Sequence, residues 1–124
     1  MKKEIKTDKA PNPIGPYSQG IISGGCIYVS GQTPKDPKTG EIPDGISAQT
    51  RQVLENIRSI LEAGGASMAN VVKTTVHLTH IGHFKEFNEI YGEYFSSPYP
   101  ARTTVQSTLP GPFFIEIDVI AELD

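Results

Sequence analysis

The sequence predicts an α+β fold: one mixed β-sheet with two helices packed on one of its faces. Three observations predict it. Between Ile46 and Ala63, the residues Ile46, Val53, Leu54, Ile57, Ile60 and Leu61 recur at spacings of three, four and seven, which puts them on one stripe of a helix. Phe84, Phe87, Ile90, Tyr91, Tyr94 and Phe95 form a second stripe over residues 82–95. At the C-terminus, Ile115, Ile117, Val119, Ala121 and Leu123 alternate with Glu116, Asp118, Ile120 and Glu122, the pattern of a strand buried on one face. Two amphipathic helices need one sheet face to cover.

Taken in order, the chain reads β-β-β-α-β-α-β-β. Glu4–Thr7 suits a short edge strand. Ala10–Pro16 holds three prolines, which fix φ and remove donors, so this stretch is an ordered loop that delivers Tyr17. Tyr17–Ser23 and Cys26–Ser30 read as a hairpin about Gly24-Gly25. Asp36–Gly40 is a turn cluster. Asp44 or Ser47 is placed to cap the first helix, Gly64-Gly65 ends it, and Gln49 belongs to its wet face. Val71–Thr79 is rich in β-branched residues and reads as a strand, with Val71, Lys73, Thr75 and His77 on one face.

The last two strands, Tyr99–Val105 and Phe113–Val119, are joined through Pro110-Gly111-Pro112 and read as a hairpin. Period-two alternation then places Arg102, Thr104, Gln106 and Glu116 on one face, with Arg102 and Glu116 about 8–15 Å apart at Cα. The face of the last strand away from the helices carries Phe114, Ile120 and several carboxylates. It is too mixed for a core and too apolar for open solvent, which predicts a homo-oligomer with sheets turned inward and helices outward.

Composition bounds the function. The 124 residues suit one domain spanning 1–124, with 37% hydrophobic and 20% charged content. A net charge of −3 weighs against a nucleic-acid partner. No run is apolar enough for a membrane span, and no apolar stretch follows the charged N-terminus as in a secretory signal. The single cysteine, Cys26, suits a reducing compartment, so a cytoplasmic location is expected. His77, His80 and His83 straddle a strand and a helix boundary with no local cysteine or carboxylate beside them, so no metal site is expected. No phosphate-binding glycine loop is present.

Several segments together resemble the RidA family, also called the YjgF family, of reactive-intermediate deaminases. They are Gly15-Pro16-Tyr17-Ser18-Gln19-Gly20, Val29-Ser30-Gly31-Gln32-Thr33-Pro34, Lys38-Thr39-Gly40-Glu41, Val72-Lys73-Thr74-Thr75-Val76, Phe87-Asn88-Glu89-Ile90-Tyr91, Pro100-Ala101-Arg102 and Ile115-Glu116-Ile117. They run in order over almost the whole chain. The resemblance implies a chorismate-mutase-like fold and a homotrimer with sites between subunits. It implies hydrolysis of 2-enamine and 2-imine acids, such as 2-aminoacrylate and 2-iminobutanoate, to 2-keto acids and ammonia, with no cofactor.

The resemblance also implies roles. Arg102 matches the arginine that holds the substrate carboxylate, for which a planar guanidinium offers two parallel hydrogen bonds. Glu116 matches the acid that positions or activates the attacking water. Tyr17, Ser30, Gly31 and Asn88 match cleft positions, and Thr104 is expected beside them as a substrate contact. Thr103-Thr104 stands where archetypal members carry Ser-Cys, and the segment from Val105 to Glu116 is one residue shorter than theirs. Three other readings remain open: a non-enzymatic trimer that binds a small carboxylate or acts as a regulator or chaperone, a ribonuclease, and, on fold analogy alone, a chorismate mutase.

Overall fold

The computed structural model describes residues 1–124, and its elements follow the expected order. Strands β1 (Lys3–Ile5), β2 (Gly20–Ser23) and β3 (Cys26–Gln32) precede helix α1 (Ile46–Ala63). Strand β4 (Val71–Leu78) precedes helix α2 (Phe84–Tyr94), and β5 (Ala101–Gln106) and β6 (Ile115–Glu122) end the chain. The six strands form one sheet in the order β1-β2-β3-β6-β4-β5. Only β4 and β5 run parallel. The mixed sheet and its two helices are as the periodicity predicts.

The pairing of β5 and β6 is not. They do not form a hairpin, because β4 lies between them. Helix α2 carries the chain from β4 into a parallel β5, as a crossover must, and so lays β5 on the outer edge. Pro110-Gly111-Pro112 then belongs to the long return toward the middle of the sheet. Burial explains which strand takes which place. Ile115, Ile117, Val119 and Ala121 are almost wholly shielded, so β6 gains most between two neighbours. β5 carries Arg102, Thr103, Thr104 and Gln106, and an edge suits it.

This topology divides the expected site between two faces. Across the sheet, Glu116 pairs with His77 and His77 with Val105. Val119 pairs with Thr74 and Thr74 with Arg102, while Ile117 pairs with Val76 and Val76 with Thr104. Paired residues share a face, so Arg102 and Thr104 lie on the helix-covered side and Glu116 on the open side. The expectation that they share one face is therefore overturned. A register shift between Val71 and Lys73 also turns Val71 into the core and Val72 outward, the reverse of simple alternation.

The first helix buries its predicted stripe, with Val53, Leu54, Ile57, Ile60 and Leu61 fully shielded. They join Ile27, Val29, Ile115 and Ile117 in one core. Truncating one of them, such as Ile57→Ala, costs about 2–5 kcal/mol. Neither Asp44 nor Ser47 caps the helix. Gly45 sits there at φ 85°, and Ser47 Oγ donates instead to Glu86 Oε1 on α2. Gln49, expected on the wet face, is buried. Its Nε2 donates to Pro43 O and its Oε1 accepts from the Phe114 N–H, which ties the helix start to the entry of β6. Gly64-Gly65 ends the helix as expected, with Gly65 at φ 88°. No helix is long and apolar enough to cross a membrane.

Candidate active site

The loop that presents Tyr17 is fixed from within. Gln19, the last residue before β2, is buried. Its Nε2 donates to Thr7 O, Ala10 O and Pro11 O, and its Oε1 accepts from the Thr7 N–H at 2.8 Å. The prolines of this loop supply no donors, so one side-chain amide satisfies several of its carbonyls. The Ser30 hydroxyl donates to Ser18 O at 2.6 Å and pins the same loop to β3. Its proton is committed there, and only its lone pairs face outward. Tyr17 lies in the loop, not in a strand, and is half exposed.

Tyr17, Ser30, Gly31 and Glu116 line one cleft of about 520 Å³, together with Ile14, Lys35, Ile42, Pro110 and Phe113. Gly31 lies inside β3 and not after its end. It is there for room. A Cβ on it would stand 2.5 Å from Glu116 Oε2 and 3.0 Å from Cδ. The carboxylate of Glu116 therefore rests directly over backbone, beside the cleft. Burial pushes the Glu116 carboxyl above the usual carboxylate range, with His77 pulling it down and Asp118 pushing it further up. A carboxyl so placed is a better proton acceptor than one in water.

Arg102 and Asn88 line a second, shallower cleft of about 390 Å³ with Tyr91, Gly92, Tyr99 and Pro100. The Arg102 guanidinium stacks on α2. Its carbon lies 4.8 Å from the centre of the Tyr91 ring, 5.3 Å from Phe87 and 5.6 Å from Phe84. Such contacts favour a partly desolvated cation. The two ion pairs of the chain are Arg51–Glu93 and Arg58–Glu55, so Arg102 has no carboxylate partner of its own. The Tyr91 hydroxyl shares a 2.8 Å hydrogen bond with Thr74, and its burial keeps it protonated to higher pH. The Tyr91 ring under Arg102 is thus held from the sheet.

Three of the sequence-predicted site residues, Thr104, Arg102 and Glu116, differ from expectation in placement. Thr104 lines neither cleft, and its hydroxyl is buried without a partner on the helix-covered side of the sheet. Arg102 and Glu116 stand two strands apart, on opposite faces, about 14 Å apart at Cα from strand spacing and rise. Sequence reading missed Gln19 as the organiser of the Tyr17 loop, and the motif gave it no distinguishing mark. It also missed His77 and Ser107, which lie on the open face beside Glu116 and share a 2.8 Å hydrogen bond. Of the three histidines, His80 and His83 stack edge to face on each other.

Residues 7–123 match the family model described as Endoribonuclease L-PSP. A RutC family protein of Pyrococcus horikoshii is 54% identical over 98% of each chain. The solved structure of RidA from an Antarctic Psychrobacter is 44% identical over 98% of this chain and 99% of its own, with a TM-score of 0.94. The chain belongs to the RidA family. TdcF of Escherichia coli, which is named as a candidate reactive intermediate deaminase, is 42% identical over 98% of this chain and 97% of its own. A structure of TdcF with bound serine superposes with a TM-score of 0.93 at 40% identity, covering 98% and 99% of the two chains. The sheet with its two helices is thus the RidA architecture.

Proposed function

We propose that the protein hydrolyses reactive 2-imine and 2-enamine acids, 2-iminobutanoate and 2-aminoacrylate among them, to 2-keto acids and ammonia. The observation that carries this reading is Arg102: a guanidinium with no carboxylate partner, seated on three aromatic rings at the wall of a cleft. It is a prepared seat for a substrate carboxylate. The serine bound to TdcF, itself an α-amino carboxylate, is consistent with that seat.

The division of the site supports a homotrimer. Arg102 and Asn88 open on one cleft, and Tyr17, Ser30, Gly31 and Glu116 on another. Arg102 belongs to the edge strand, where a second copy can reach it. In this reading the Arg102 cleft of one subunit closes against the Glu116 cleft of its neighbour in a cyclic assembly. Arg102 holds the carboxylate and Tyr17 walls the substrate. Glu116 takes a proton from a water that attacks C2 of the imine, and passes it to the departing nitrogen. The carbinolamine then collapses to the keto acid and ammonia. Positioning and charge carry the rate, with no covalent intermediate on the protein and no cofactor required. The whole chain of residues 1–124 acts as one such unit.

The test is a coupled assay that generates 2-iminobutanoate in situ. Arg102→Lys keeps the charge but loses the paired hydrogen bonds, so kcat/KM falls by about 10–100-fold, and Arg102→Ala falls further. Full turnover in a folded Arg102→Ala variant removes the carboxylate seat. A second reading, a carboxylate-binding trimer without turnover, draws on the same serine-bound structure. Calorimetric binding of 2-ketobutyrate with no imine hydrolysis would favour it. Salt-sensitive binding and cleavage of RNA would instead favour the activity in the family model's description.

A further inference from the structure

The deaminase reading leaves one polar group beside Glu116 unused. His77 sits on β4 directly opposite Glu116 in the antiparallel register. Such neighbours have Cβ atoms about 4.5–5.5 Å apart. Its Nδ1 is held by the Ser107 hydroxyl at 2.8 Å, just beyond the end of β5. On the open face of the sheet, the ring is therefore braced from the β5 side while Glu116 lies on its β6 side. Glu116 itself leans over Gly31 of β3 and makes no hydrogen bond to the ring, so the link between them is through charge.

We propose that His77, braced by Ser107, is a positioning residue for Glu116: its imidazolium favours the ionised carboxylate, the form able to accept a proton from water, as the pH falls. Histidine is the side chain whose ordinary charge change falls between about pH 5 and 8, and burial raises the carboxyl it faces. The other charged or titratable groups facing Glu116 are few. Asp118, two residues along the same strand, opposes His77, and Lys73 of β4 lies further along beside Asp118. Lys35 and Tyr17 stand across the cleft. Of these, His77 is the one that stands directly opposite Glu116 in the strand register.

The inference rests on the deaminase reading for its kinetic readout, and a second readout is independent of it. The pH profile of kcat/KM is measured for wild type and His77→Gln. The acid limb of His77→Gln should move to higher pH, with kcat/KM at the acid end down by at least about threefold and little change on the alkaline side. In parallel, the Glu116 side-chain carboxyl is titrated by carbon NMR in both proteins. Its midpoint should rise in His77→Gln, and Ser107→Ala should move it the same way by less. An unmoved Glu116 midpoint and acid limb in a folded, correctly assembled His77→Gln would overturn the inference. If wild type shows no imine hydrolysis, the deaminase reading fails, and the NMR midpoint alone decides whether His77 sets the charge of Glu116.

Discussion

Replacing Gly31 by alanine adds one methyl group at the point where β3 passes beneath Glu116. The new Cβ would lie 2.5 Å from Oε2, 3.0 Å from Cδ and 3.3 Å from Cγ of that side chain. Ordinary contact between such atoms needs roughly 3.5 Å, so the carboxylate must retreat by about 1 Å. Gly31 does not have positive φ, so alanine is not strained in its backbone. The atoms in the way are the far end of a rotatable side chain. The cost to stability is then one displaced rotamer of about 0.5–1.5 kcal/mol, offset by about 0.4–1 kcal/mol from the stiffer unfolded chain. The consequence for chemistry is larger, because a 1 Å misplacement of a reacting group costs on the order of 100-fold. Gly31→Ala should therefore unfold at nearly the wild-type denaturant concentration, while its kcat/KM in the imine assay falls about 100-fold. Combining it with Glu116→Gln should add little, since both remove the same carboxylate from its place. Wild-type turnover in Gly31→Ala, or full additivity of the two losses, would refute the placement of Glu116 over Gly31.

Other consequences are equally direct. Burial raises the carboxyls of both Glu116 and Asp118, so the folded protein takes up these protons at higher pH than the unfolded chain. The sign follows: their contribution favours folding below the ordinary carboxylate range and is lost as pH rises through the raised values. Glu116→Gln should thus melt higher than wild type near neutral pH, the difference closing in acid; a lower melting point at neutral pH would contradict burial as the main cause. Gln19→Ala leaves the carbonyls of Thr7, Ala10 and Pro11 without their donor, and should cost about 2–3 kcal/mol in denaturant unfolding at fixed protein concentration. The same variant should raise KM through the freed Tyr17 loop, and an unchanged KM would separate that loop from substrate binding.

Elements with strong periodicity are legible in the sequence itself. The stripes of α1 and α2 and the alternation of β6 decide type, order and buried face, because each pattern has one period and one partner surface. Strand pairing was not legible. Pro110-Gly111-Pro112 has the chemistry of a turn, but whether two strands pair across it depends on which neighbour hides more apolar surface, and β4 competes with β5 for β6. From that one misreading came the false common face for Arg102 and Glu116. Glycine positions were legible only in part. Gly64-Gly65 announces a helix end, whereas nothing local marks Gly31 as the floor under a carboxylate. Side-chain anchors such as Gln19 and Gln49 stayed hidden because a buried amide in sequence looks like any polar residue.

The central claim is that one catalytic site needs Arg102 from one subunit and Glu116 from the next. Arg102→Ala and Glu116→Gln, each inactive alone, can be co-expressed with different affinity tags, and assemblies carrying both tags isolated. In a cyclic trimer of mixed composition, one of the three clefts always joins an intact Arg102 to an intact Glu116. Imine hydrolysis per assembly should return to about one third of wild type. Mixed assemblies as inactive as their parents would contradict the shared site.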